Sequence, residues 1–324
     1  MSEMSKMSEK IGTRVGRSVV SALKRAFSTI VFLLKIMIPT SLAIALLGWS
    51  GALAVISGFL APLMRLIGLP GQAALVFLSG ALLNNYSAIA VMGTVALSLR
   101  DATILAVMCV ICHNLLVETT VMKSAGSSAI KMVALRIGMS LVAAFLLNLL
   151  LPKNLSNVEF SKGVVAGRSD FWPMLGAWGL STLKLVGTVV LYVAVIMLVQ
   201  SLFEEFGIMT YLSKGLAPFM KVLGLPASVS FLWIVINIVG YAYGAGIIKS
   251  EYDEGKLPKE NGDLFNHHAA ICHSLMEDTT LYAGLGISVA WLIIPRFLLA
   301  IVVVWLERLR RKIHGKPQAS LSKA

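Results

Sequence analysis

The sequence predicts an all-α integral membrane protein made of two homologous repeats. Three observations carry that prediction. The 324 residues are 57% hydrophobic and 14% charged, with a mean hydropathy of +0.83. That balance belongs to membrane chains. Several apolar segments are long enough to span a bilayer. Finally, two decapeptides, ICHNLLVETT from Ile111 and ICHSLMEDTT from Ile271, agree at six of ten positions inside apolar surroundings.

A helix crosses the hydrocarbon with about 20 apolar residues. Segments 27–48, 73–99, 102–122, 129–151, 184–203, 229–248, 265–284 and 287–306 qualify. No clear small-residue cleavage site follows the first, so it reads as a retained span rather than a signal peptide. The net charge of +12 gathers at the ends. Lys6, Lys10, Arg14, Arg17, Lys24 and Arg25 precede the first span, and Arg308, Arg310, Arg311, Lys312, Lys316 and Lys323 follow the last. Basic flanks predict tails, 1–26 and 309–324, on the cytoplasmic side of the cell inner membrane. A spanning chain accounts for this charge without nucleic acid. Cys109, Cys112 and Cys272 all fall in apolar segments, so no disulfide framework is expected. The run CVICH fits a haem-attachment pattern, but Ala269 replaces Cys109 in the second copy, so the repeated unit is Ile-Cys-His.

The duplication runs beyond the decapeptides. LAPLMRLIGLP at 60–70 matches LAPFMKVLGLP at 216–226 with an offset of 156. The decapeptides, and Arg136 with Arg296, match at 160. The four extra residues fit the charged loop at 249–263. The expected halves are 27–151 and 183–308, joined by a polar linker and lead-in segment at 152–182. Each half offers a first span, an amphipathic piece ending in Gly-Leu-Pro, an interrupted apolar segment, the decapeptide helix and a last span with an arginine. If the interrupted segment is a re-entrant hairpin, each half crosses three times and the repeats are inverted. A parallel arrangement with four crossings per half stays open.

Polar residues in the apolar segments mark the candidate site. LLNNYSAIA carries Asn84, Asn85, Tyr86 and Ser87, and VGYAYGAGI carries Tyr241 and Tyr243 among glycines. Paired amides in lipid need partners, and backbone leaves the helix at membrane depth only where protein or a cavity surrounds it. On a continuous helix Glu118 and Asp278 lie about 140° from His113 and His273, so acid and histidine meet only if the helix unwinds. Glu118-Thr119-Thr120 and Asp278-Thr279-Thr280 are candidate ends of such breaks, with Glu277 beside them. These acids suit a proton, a metal held with His113 and His273, or a polar organic solute. Alternatively, Arg136 and Arg296 pair with Glu118 and Asp278 as structural salt bridges. His267 and His268 are expected at the interface, beside the charged loop.

The run HSLMEDTTLYAGLGISVAWLIIPR, 273–296, resembles the nucleoside recognition, or Gate, family. That family includes spore maturation proteins A and B, concentrative nucleoside transporters and the ferrous-iron transporter B pore domain. VETTVMKSAGSS, from Val117, looks like a second copy of the phrase. The resemblance implies inverted repeats with two re-entrant hairpins and two broken helices around a midplane site. Asn84 and Asn85 would fall at one hairpin tip, Tyr241 and Tyr243 near the other. A glutamine-threonine-glutamate phrase and a preceding GTPase domain are both missing, so the family name does not fix the substrate.

The expected function is a permease for a small polar solute, such as a nucleoside, coupled to a cation. Alternatives are a divalent-metal transporter and a non-transporting assembly subunit. No enzyme motif, cofactor or nucleic-acid partner is expected. The expected partners are the lipid bilayer, the solute and a coupling cation, and a homo-oligomer stays open.

Overall fold

The computed structural model describes residues 11–162 and 170–315. Lys6, Lys10, Lys316, Lys323 and the linker stretch 163–169 lie outside them. The described chain is an all-α membrane protein but for one pair of short strands.

Helix α1 (Ile11–Trp49) leads through Gly51, whose φ of 81° turns the chain, into α2 (Ala52–Leu66). Next come α3 (Ala73–Leu82) and α4 (Asn85–Met92), which pack against one another. Strand β1 (Ala96–Ser98), α5 (Leu99–Cys112), α6 (Leu115–Ser124) and α7 (Ala129–Leu150) follow. Strand β2 (Glu159–Lys162) pairs antiparallel with β1, Ala96 opposite Lys162. The second series is α8 (Phe171–Glu205), α9 (Ile208–Leu216), α10 (Ser230–Ile238), α11 (Tyr241–Asp253), α12 (Lys259–Ala269), α13 (Leu275–Ala283) and α14 (Val289–Ile313). Helices α10 and α11 also pack on each other.

Among the described residues, three stretches are long and apolar enough to cross a membrane: Leu99–Ser124, Ala129–Leu150 and Val289–Ile313. They differ in burial, 72% against 28% and 33%, which separates a central element from two flanking ones. Helix α5 starts on a Ser98–Asp101 capping box and is buried without interruption from Ala102 to Cys112. It packs on both α7 and α14. Those two turn one stripe inward, and the arginines Arg136 and Arg296 lie on it, fully buried.

Three expectations change. The basic stretch before residue 27, expected as a tail, is helical from Ile11 as part of α1, which runs along α8. Acids on α8 meet its charge: Arg14 pairs with Glu205 at 3.1 Å and Arg25 with Glu204 at 2.8 Å. The linker supplies strand β2, and α8 begins at Phe171, ahead of the expected 184. The charged loop shortens from both sides. Helix α11 continues to Asp253, helped by a Lys249–Asp253 pair at 2.5 Å, and α12 starts directly after Pro258.

Candidate functional site

Both decapeptide stretches interrupt their helix: the first ends at Cys112 and resumes at Leu115, the second ends at Ala269 and resumes at Leu275. Asn114 (φ 48°) and Ser274 (φ 49°) are the positive-φ non-glycine residues of the described chain. Asparagine tolerates that left-handed conformation through its short polar side chain; serine does so less readily. The break leaves backbone groups without helical partners, and four of these find one in protein. Asn114 N–H donates to the Gly80 carbonyl at 3.0 Å, and Ser274 N–H to the Ile236 carbonyl at 2.8 Å. Arg136 Nη2 donates to the His113 carbonyl at 2.6 Å, and Arg296 Nη1 to the His273 carbonyl at 3.1 Å. Buried orphan carbonyls are thus capped by guanidinium groups.

The break brings together what a continuous helix holds apart. Glu118, in the first turn of α6, lies 3.2 Å through Oε1 from His113 Nε2 and 3.2 Å through Oε2 from His273 Nε2. Arg136 Nη2 stands 2.7 Å from the same Oε2. The two imidazoles are neighbours, with ring centroids 5.0 Å apart. Asp278 Oδ2 is 3.7 Å from His113 Nε2, and its Oδ1 accepts from Asn85 Nδ2 at 2.8 Å. Tyr86 donates to Glu277 at 2.8 Å. All of these side chains are buried. Side chains from α4, α6, α7 and α13, with His113 and His273 at the two breaks, therefore form one buried cluster.

The tautomers follow from geometry. His113 Nδ1 faces the Cys109 carbonyl at 3.0 Å and His273 Nδ1 the Ala269 carbonyl at 2.6 Å. A carbonyl only accepts, so each Nδ1 carries hydrogen. Both Nε2 atoms are then directed at carboxylate oxygens, an arrangement that needs a proton or another cation between them.

Other expected residues sit elsewhere or play different parts. Asn84 caps the start of α4, its Oδ1 accepting from Ser87 N–H at 2.9 Å and from the Ser87 hydroxyl at 3.1 Å. Thr120 is exposed and bonds the Leu116 carbonyl; Thr280 bonds the Met276 carbonyl. Each satisfies its hydroxyl on its own helix. Thr119 is buried, and Thr279 accepts from Arg296 at 2.5 Å. The breaks lie at 113–114 and 270–274, earlier than the acid-Thr-Thr triplets. Arg136 meets Glu118 as the salt-bridge alternative requires. Arg296 takes the neutral partners His273 carbonyl and Thr279 instead of Asp278. Tyr241 packs edge-on against His273, centroids 5.7 Å apart, and donates to Asn266 at 2.7 Å. The side chain of Tyr243 lies outside the described residues.

His267 and His268 are not beside water: they are 2% and 0% exposed. His268 Nε2 accepts from Trp233 at 2.9 Å, and His267 belongs to a group with Asp263 and Glu307. Helix α12 carries them into the core because it packs on α14. Sequence reasoning missed two residues. Tyr282 donates to Asn85 Oδ1 at 3.2 Å, and Asn266 is fully buried and donates to the Met122 carbonyl at 3.0 Å. An asparagine in segment 265–284 was a readable signal for the second; a tyrosine carried none.

Residues 30–129 match the family model described as Gate, nucleoside recognition. The uncharacterized membrane protein YvoD of Bacillus subtilis (strain 168) is 30% identical over 292 residues, covering 88% of this chain and 92% of that protein. The chain belongs to the nucleoside recognition (Gate) family. The family match covers Asn85, His113 and Glu118 of this Gate protein and stops short of His273, Glu277 and Asp278. No solved structure matches the chain.

Proposed function

We propose that this Gate protein is a permease of the cell inner membrane that moves a small polar solute, with a nucleoside as first candidate, in step with a cation. One observation supports the reading most. Acids, imidazoles and an amide drawn from distant parts of the chain converge on one buried cluster at two helix breaks. Ionisable groups inside a membrane protein mark solute and ion pathways, and broken helices with free backbone groups are what carriers use to hold them.

In this reading the halves 27–151 and 183–308 are inverted repeats. Helix pairs α3–α4 and α10–α11 are re-entrant hairpins, and both termini are cytoplasmic. Two clefts fit that symmetry. One, of about 610 Å³, is lined by Thr120, Val121, Ser124, Ala245 and Lys249. The other, of about 310 Å³, is lined by Ile89, Gly93 and Leu285. Ala245 and Lys249 correspond to Ile89 and Gly93 at the offset of 156, as expected of access routes serving opposite sides of one centre.

The test is uptake into proteoliposomes containing the purified chain, with labelled nucleosides and other small polar solutes, under proton or sodium gradients. Saturable uptake is expected, lost in Asn85→Ala and Glu118→Gln variants that keep the parent's gel-filtration profile. Unchanged uptake in both variants would reject this site.

A further inference from the structure

We infer that His113, His273 and Asp278 form a site for a borderline transition-metal dication, of the zinc, iron(II) or cobalt(II) class, where the two broken helices meet. Their ligand atoms all lie within 4.8 Å of one another, and all three residues are buried. The inference deepens the permease reading. It rests on that reading for the ion's role as cargo or coupling cation, while binding itself is tested without transport.

The imidazoles are set as metal ligands are set. Each Nδ1–H is tied to a backbone carbonyl, Cys109 for His113 and Ala269 for His273. Such a bond fixes ring and tautomer and frees Nε2 to ligate. His273 Nε2 and Asp278 Oδ2 are buried atoms that make no hydrogen bond, although His273 Nε2 stands 3.2 Å from Glu118 Oε2. His113 Nε2 stands 3.7 Å from Asp278 Oδ2, so these donors already crowd one another. A metal about 2.0–2.2 Å from each donor draws them to roughly 3–3.5 Å of one another, a contraction within reach of side-chain rotation.

The donor set selects the ion. Two nitrogens and one carboxylate suit zinc or iron(II), whereas magnesium and calcium take all-oxygen shells. Three protein ligands leave a position open for water or an exchanging ion. Charge favours Asp278 as the anionic ligand. Glu118 is held by Arg136 at 2.7 Å, whereas Asp278 Oδ1 accepts from the neutral amide of Asn85. The group Asp263, His267 and Glu307 also has ligand spacing, but its carboxylates hold Arg310, Arg311 and Lys131. Those cations already neutralise it, so it serves as an internal control.

The experiment loads untagged, chelator-stripped full-length protein in detergent with Co2+ and reads its visible absorption and retained metal. A single Co2+ per chain is expected, displaced by Zn2+ and not by excess Mg2+. His113→Ala, His273→Ala and Asp278→Asn should each lower affinity by at least the roughly 10–100-fold that loss of an outer-shell partner costs. His267→Ala should bind as the parent does. A parent that retains no Co2+, or a His113→Ala/His273→Ala double variant that binds Co2+ equally well, overturns the site. If the alanine variants do not fold, Asp278→Asn carries the test through the shape and intensity of the cobalt band, and an unchanged band and affinity there overturn it too. Solute uptake by metal-free protein whose parent form retains no Co2+ rejects this inference alone. Tight Co2+ binding without solute uptake upholds it and rejects the solute reading.

Discussion

Asn85 donates to Asp278 at 2.8 Å across 193 residues of sequence, with both side chains buried. The same amide accepts from Tyr282 at 3.2 Å. One side chain thus ties the start of α4 to the acid and the tyrosine of α13. Truncating it to alanine strands two buried partners, which costs about 1–3 kcal/mol. Replacing it with aspartate sets a second carboxylate against the first, a greater penalty than a missing bond. Thermal unfolding in detergent with chelator present should rank the parent above Asn85→Ala and Asn85→Ala above Asn85→Asp. The reverse order of the two variants would mean that Asp278 is held by something other than this amide.

The two buried arginines should not be equivalent. Arg136 meets the Glu118 carboxylate and the carbonyls of Ile111 and His113. Arg296 meets a carbonyl and a hydroxyl. Removing Arg136 leaves a buried charge without its guanidinium, a loss of about 3–5 kcal/mol. Removing Arg296 leaves only neutral acceptors unpaired and should cost about 1–3 kcal/mol. Arg136→Met is therefore expected to accumulate less folded protein than Arg296→Met, measured by fluorescence-detected gel filtration. Equal losses would assign both arginines the same capping role and nothing more.

Much of this could be read from the sequence, for a physical reason. Hydrocarbon makes polar groups expensive, so Asn85, His113, Glu118 and Asp278 stood out against their surroundings. The requirement that the helix unwind before Glu118 can reach His113 followed from helical geometry alone. The place of the break did not. It depends on a left-handed residue, and Asn114 is an ordinary asparagine until its φ is known, while Ser274 gives no signal at all. Asn84 was visible as a polar residue, but whether it caps a helix or faces a site is decided by a single N–H of Ser87. His267 and His268 were misjudged because α12 docks on α14, which buries both rings and leaves Asp263 beside His267 paired with Arg311.

Close approach of α3 to α5 gives a third test. A methyl group on Gly80 would stand 3.0 Å from Cys109 Sγ and 3.2 Å from the Ala88 Cβ. Overpacking of this kind costs about 1–3 kcal/mol, more than the roughly 1 kcal/mol that alanine gains over glycine in a helix. Gly80→Ala should therefore lower stability, and Cys109→Ala in the same chain should recover most of the loss. The matched positions already show the exchange: Ile236 stands where Gly80 does, and Ala269 where Cys109 does. A double variant no more stable than Gly80→Ala in thermal melts would show that the Ala88 contact sets the limit.

The left-handed residue of the second break is the least comfortable one in the site. Ser274 holds φ at 49° inside the protein, where it is 4% exposed. Sparsely populated backbone conformations of this sort cost on the order of 1–3 kcal/mol and persist when surrounding bonds over-determine them. Here the restraints are Ser274 N–H on the Ile236 carbonyl and Arg296 on the His273 carbonyl. Glycine takes the same φ without a Cβ clash, so Ser274→Gly keeps both bonds and removes the strain. Part of the gain is offset by the extra freedom of glycine in the unfolded chain, leaving up to about 1 kcal/mol of stabilisation. Asn114→Gly should gain less, because asparagine already accommodates the conformation. Paired thermal melts of the two variants in detergent decide the matter. A Ser274→Gly protein less stable than its parent would show that the serine side chain, rather than the turn it makes, holds the break together.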